Sequence, residues 1–123
     1  MSSPQSILVV DDDADLLFVV ALLLTREGYV VQTLPDCTKL FDLLRGKPAP
    51  DLIIMDINLG SCDDRELCIQ LKQQPAFRHI PVALYSSDRL DMTICNDALA
   101  NGFIQKPFSF EVLTGKVRDM LMA

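Results

Sequence analysis

The sequence predicts an α/β domain built on a doubly wound, five-stranded parallel sheet, with helices on both faces in three αβα layers. Two observations lead there. Short runs rich in Val, Ile and Leu alternate along the chain with stretches of helical character, and the connections between them are only a few residues long. That alternation implies right-handed crossovers between parallel strands, and strands covered on both faces read as continuous apolar runs.

Ile7-Leu8-Val9-Val10 is the first such run, ended by a row of aspartates. Ala14 to Glu27 contains neither Gly nor Pro and stops at Gly28, so it reads as a helix with a glycine terminator. Tyr29 to Leu34 is the second strand, followed after Pro35-Asp36 by a helical stretch from Cys37 to Arg45 that ends at Gly46. Pro48 and Pro50 mark a loop, and Leu52-Ile53-Ile54-Met55 is a third buried strand running into Asp56. A helix from about Asp63 to Gln74 must stop before Pro75, and Pro81 to Tyr85 is the fourth strand. Asp91 to Ala100 predicts a short helix, and Phe103-Ile104-Gln105 a brief fifth strand. Val112, Leu113, Val117, Met120 and Leu121 recur at helical spacing, which predicts a last helix from about Ser109 to Leu121.

Composition narrows the function classes. The chain has 123 residues, with 17 acidic and 11 basic side chains and a formal charge of −6. The length suits one domain with one core, expected to occupy residues 1–123 (core about 6–122) without an output domain. Phosphate backbones attract clusters of Lys and Arg that are missing here, so direct nucleic-acid binding is not expected. The longest apolar stretch, Leu16 to Leu24, has nine residues, about half of what a membrane-spanning helix needs. With no basic start typical of a secretory signal, the expected location is the cytoplasm. Cys37, Cys62, Cys68 and Cys95 form no C-x-x-C pair and are expected to be reduced, mostly buried thiols.

Fourteen of the 17 acids are Asp, a residue suited to caps, turns and ligation rather than to helix interiors. In a doubly wound sheet the ligand site lies beyond the carboxyl ends of the strands. Those ends carry Asp11, Asp12 and Asp13, then Asp56, Ser86 and Lys106. Crowded carboxylates repel one another unless a cation joins them, and Mg²⁺ accepts carboxylates, water and phosphate oxygens together. Lys106 adds a positive charge suited to phosphate, and Ser86 a hydroxyl donor. A carboxylate can also be the nucleophile in forming an aspartyl phosphate, and Asp56, alone after its strand, is the better candidate.

Four motifs in order, Val9-Val10-Asp11-Asp12, Asp51 to Asp56, Pro81 to Ser86 and Lys106-Pro107-Phe108, make the chain resemble the receiver domains of two-component response regulators from Ile7 to about Leu121. The resemblance implies a (βα)5 flavodoxin-like receiver fold. It implies Asp56 as phosphoacceptor, with Mg²⁺ held by Asp12 directly, by Asp11 largely through water, by Asp56, and by the backbone carbonyl of Asn58. Ser86 matches the switch residue that moves to the phosphoryl group, Phe103 the aromatic position that turns inward with it, and Lys106 the lysine on the phosphoryl oxygens. The Lys106-Pro107 bond would be cis. The implied partners are a sensor histidine kinase or histidine phosphotransfer protein as donor, and a downstream protein target reached through the fourth helix, fifth strand and last helix. Such a domain is not an enzyme beyond its own phosphotransfer and dephosphorylation, and Asn58 and Asp88 would partly govern the lifetime of the phosphoryl group. Gly60-Ser61-Cys62-Asp63-Asp64 departs from the family's Pro-Gly-x-Asp-Gly, and Asn101-Gly102-Phe103 reads as a shortened approach to the fifth strand.

Competing readings attach to the same residues. Asp13 and Asp15 suit a helix N-terminus, whose dipole favours acids. His79 has no Cys or acid at ligand spacing and reads as structural or solvent-facing. Leu16 to Leu24 is apolar on every helical face, so it is either deeply packed or a docking surface for a kinase's helical bundle or a second copy of the chain, a homodimer. Asp11-Asp12-Asp13 also fits the Asp-x-Asp of haloacid-dehalogenase-like phosphatases, with Asp11 as nucleophile, although only Glu111 and Asp119 follow Lys106 to complete such a site. A third reading is a receiver-like interaction module that never takes phosphate.

Overall fold

The structure, a computed structural model, describes residues 4–46, 48–56, 64–86, 100–105 and 109–122, the side chains of Asp64, Arg65 and Ser86 excepted. Its elements are β1 (Ser6–Val10), α1 (Ala14–Arg26), β2 (Val30–Leu34), a 3₁₀ turn (Cys37–Lys39), α2 (Leu40–Gly46), β3 (Leu52–Asp56), α3 (Asp64–Gln73), β4 (Val82–Ser86), β5 (Gly102–Gln105) and α4 (Phe110–Met122). The five strands are all parallel in the order β2-β1-β3-β4-β5. Strand order reverses between β1 and β3, the position at which a doubly wound sheet opens a crevice at its carboxyl edge. The helix expected over residues 91–100 lies outside the described residues except for Ala100, which is not helical.

Strand alternation divides the interior into two cores. Leu8, Val10, Ile53, Met55, Val82 and Leu84 face α2 and α3, while Ile7, Val9, Leu52, Ile54, Ala83 and Tyr85 face α1 and α4. Every residue of β3 is buried, as its unbroken apolar run requires of a central strand. The first helix ends where expected: Gly28 takes φ +96°, left-handed backbone that a Cβ disfavours.

Three expectations need correction. The stretch after Pro35 is not one helix: Asp36 caps a 3₁₀ turn through the Thr38 N–H (3.0 Å) and hydroxyl (2.6 Å), and regular α2 starts only at Leu40. The fifth strand starts at Gly102, one residue before the expected Phe103. Asn101 donates its N–H to the Val82 carbonyl (2.8 Å) and accepts the Val82 N–H on Oδ1 (2.9 Å), so β5 pairs with β4 from Gly102 through Gln105. Cys37 is disulfide-bonded, its partner lying outside the described residues, whereas Cys68 is a buried free thiol. Residues remote in sequence become neighbours in a layered fold, and short-range cysteine spacing does not register that proximity.

Deep packing of α1 is also overturned at part of its surface. Leu17, Val20 and Leu24 are buried against the sheet, but Phe18, Val19 and Leu22 stand in solvent at 70%, 46% and 43% exposure.

Candidate functional site

Register assembles the site. Val10 pairs with Met55 and Asp56 with Tyr85, so one step past the last β1 pair Asp11 comes level with Asp56 on the rung that Tyr85 also occupies. Ile7, Val9, Leu52, Ile54, Ala83 and Tyr85 all face the core under α1 and α4, and alternation continues that face to Asp11 and Asp56. One carboxylate oxygen from each of Asp11, Asp12 and Asp56 lies within 4.8 Å of the others. Asp11 is fully buried and Asp56 is 7% exposed, while Asp12 is open to solvent.

Fixed donors hold Asp11. Its Oδ1 accepts the Asp13 backbone N–H at 2.9 Å, and its Oδ2 accepts the Tyr85 hydroxyl at 2.5 Å. Asp13, as expected, is the cap of α1, accepting the Leu16 N–H at 3.2 Å, and Asp15 sits in the first turn. The row of aspartates therefore splits by role: Asp11 and Asp12 face the cluster, and Asp13 and Asp15 serve the helix.

Burial is the main reason the Tyr85 hydroxyl titrates far above its usual range; its bond to Asp11 and the charges of Asp11, Asp56 and Asp13 push the same way. It is a protonated donor throughout ordinary conditions. Sequence reasoning missed this residue because it counted as one more apolar position of β4. The available signal was its type, since a phenol at the last buried rung of a strand needs a partner for its hydroxyl.

Among the other expected site residues, Phe103 is half-buried on β5, with the Lys116 ammonium of α4 5.6 Å from its ring centroid. Ser86 ends β4 opposite Gln105, its side chain outside the description. Asn58, Asp88, Lys106 and the Lys106-Pro107 bond lie outside the described residues. His79 is exposed, as expected.

Three clustered carboxylates, joined by no thiolate or imidazole among the described residues, suit a hard divalent cation such as Mg²⁺. Two of them are buried, where uncompensated charge is costly, and the third borders water that such an ion retains. The residues present therefore fit the ion.

Comparison with known proteins agrees with this geometry. Residues 7–118 match the family described as the response regulator receiver domain. The chain belongs to that family: it is a receiver domain of two-component signalling. It is 31% identical over 117 residues to Protein RcaC of Microchaete diplosiphon, covering 93% of this chain and 18% of that protein. With the transcriptional regulatory protein CseB of Streptomyces coelicolor it shares 28% over 123 residues, covering 98% of this chain and 51% of CseB. The chain thus spans about half of CseB and less than a fifth of RcaC. Among solved structures, the signal receiver domain of a histidine kinase from Syntrophus aciditrophicus superposes with a TM-score of 0.84 at 30% identity, covering 96% of this chain and 90% of that one. The chemotaxis response regulator CheY4 of Vibrio cholerae has the same fold, with a TM-score of 0.88 at 22% identity and coverage of 96% and 99%.

Proposed function

We propose that this receiver accepts a phosphoryl group on Asp56 from a phosphohistidine of a sensor histidine kinase or histidine phosphotransfer protein, in a Mg²⁺-dependent step that switches a protein-interaction face. The observation that carries the reading is the convergence of Asp11, Asp12 and Asp56 within 4.8 Å at the carboxyl edge of the sheet. In the transfer an Asp56 carboxylate oxygen attacks phosphorus, the P–N bond breaks, and its electron pair returns to the imidazole nitrogen of the donor. Chemistry of this kind rests on positioning and charge compensation more than on proton transfer. Mg²⁺, when bound, offsets the negative charge of the carboxylates and of the phosphoryl oxygens.

The chain's own residues divide the work. Asp12, open to solvent, holds the metal directly, and Asp11, pinned by two donors, acts largely through water. The Asn58 carbonyl completes the metal set, Lys106 meets the phosphoryl oxygens, and Ser86 with Phe103 relays the change; these roles are carried over from the family. The exposed stripe of Phe18, Val19 and Leu22 on α1 receives the helical bundle of the donor. Output passes to a downstream protein, and the proposed location is the cytoplasm. Among the described residues no helix is long and apolar enough to cross a membrane.

The phosphatase reading places the nucleophile at Asp11. The structure favours Asp56, because Asp11 is wholly covered and both its oxygens already accept bonds from fixed donors. Acetyl phosphate with Mg²⁺ separates the two: Asp56→Asn is expected to abolish labelling. Loss of labelling in Asp11→Asn with retention in Asp56→Asn would support the phosphatase, and no labelling of the wild type the non-phosphorylated module.

A further inference from the structure

We infer that Tyr85 is a positioning residue of the metal site, holding Asp11 through its hydroxyl so that the acidic cluster is set for a divalent cation before one arrives. The inference rests on the proposed Mg²⁺ site at Asp11, Asp12 and Asp56. It concerns a residue outside that ligand set.

Topology makes the contact unusual. Asp11 follows β1 and Tyr85 belongs to β4, and β3 lies between them. Two strand spacings are about 9.6 Å, a gap that short polar side chains do not close. A tyrosine does, because its hydroxyl stands at the far end of a rigid ring. The ring is 1% exposed, packed with Ile54, Ile104 and Leu113 in the core beneath α1 and α4. Asp56 pairs with Tyr85 in the β3–β4 ladder, so the phenol passes over the rung that presents the acceptor carboxylate.

The hydroxyl answers two physical demands. A buried carboxylate without donors is strongly unfavourable, and here Tyr85 and the Asp13 N–H supply one bond to each oxygen. Those bonds also fix the rotation of the Asp11 carboxylate. Asp13 N–H belongs to the same loop as Asp11, whereas Tyr85 is anchored two strands away in packed core, so of these two bonds the one from Tyr85 ties the carboxylate to the rest of the sheet. Hydrogen-bond partners of metal ligands that orient them in this way typically change metal affinity by about 10–100-fold when removed.

The test is Mg²⁺ binding by calorimetry, which needs no phosphotransfer. Tyr85→Phe keeps the ring and removes the donor; the expected result is a Mg²⁺ Kd about 10-fold or more above wild type. Ile7→Val, a trimming of the same core at the opposite end of β1, is expected to lower Tm and leave the Kd unchanged. An unchanged or tighter Kd in Tyr85→Phe, with wild-type binding intact, would overturn the role of Tyr85 alone. Absence of Mg²⁺ binding by the wild type would overturn it together with the proposed site. Proton NMR of the wild type decides the matter even if the variant fails to fold. The Tyr85 hydroxyl is expected as a downfield, slowly exchanging resonance that persists at Mg²⁺ saturation, and its loss on saturation would overturn the inference.

Discussion

Replacing Asp56 by Asn should make the metal-free protein more stable while removing its capacity to be phosphorylated. Asn keeps the size of the side chain and removes one negative charge, so the change isolates electrostatics. At the 4.8 Å that bounds the distances within the cluster, like unit charges repel by at least about 3.5 kcal/mol at an effective dielectric of 20 and about 0.9 kcal/mol in bulk water. The buried Asp11 belongs near the first limit and the exposed Asp12 near the second. The Tyr85 and Asp13 donors on Asp11 already offset part of its charge. A net gain of about 1–3 kcal/mol follows, and a domain of 123 residues changes Tm by about 4 °C per kcal/mol. Thermal unfolding in EDTA at low salt, followed by circular dichroism, should therefore show Asp56→Asn melting about 4–12 °C above wild type. Saturating Mg²⁺ should narrow the difference, because the ion stabilises the three-carboxylate site more than the two-carboxylate one. A variant that melts at or below wild type in EDTA would refute the claim that the cluster stores repulsion.

Other consequences follow from single contacts. Phe18→Glu and Leu22→Glu, at exposed positions of α1, should leave Tm within about 2 °C of wild type and slow transfer from a phosphohistidine donor, with acetyl phosphate labelling unaltered. Unchanged transfer and an unchanged oligomeric state would remove the docking role of that stripe. The Thr38 hydroxyl and N–H hold Asp36 below its ordinary pKa of 3.8, so its contribution is complete above that pH and fades as pH falls through the lower folded value. Asp36→Ala should thus lower Tm at neutral pH, with the loss shrinking as pH falls below 3.8; a deficit independent of pH would contradict the assignment. Alkylation without reductant, read by mass spectrometry, should leave Cys37 unmodified, and labelling of Cys37 would contradict its disulfide.

Much of the architecture was legible in the chain because it depends on local signals. Unbroken apolar runs marked β1, β3 and β4, Gly28 marked the end of α1, and the Asp row marked where β1 stops. The convergence of Asp11, Asp12 and Asp56 was also legible, since parallel strands place their carboxyl ends on one edge whatever the distance in sequence. What escaped depends on side chains meeting across the fold. The Tyr85–Asp11 bond spans 74 positions and two strand spacings, and nothing near Tyr85 in the sequence announces an acid. The Asn101 clamp on Val82 is invisible to periodicity for the same reason, so the start of β5 at Gly102 was not legible. Which residues of α1 stay in solvent was equally hidden, because a helix apolar all round carries no polar face to orient it.

The central claim, that Asp56 is the group that takes phosphate, is open to direct chemical reading. An aspartyl phosphate is an acyl phosphate, and borohydride reduces it to homoserine at the residue that carried it. The protein should be incubated with acetyl phosphate and Mg²⁺, reduced, digested and sequenced by mass spectrometry. The account predicts homoserine at position 56, and none when EDTA replaces Mg²⁺. Homoserine at position 11, or at neither position, would contradict it.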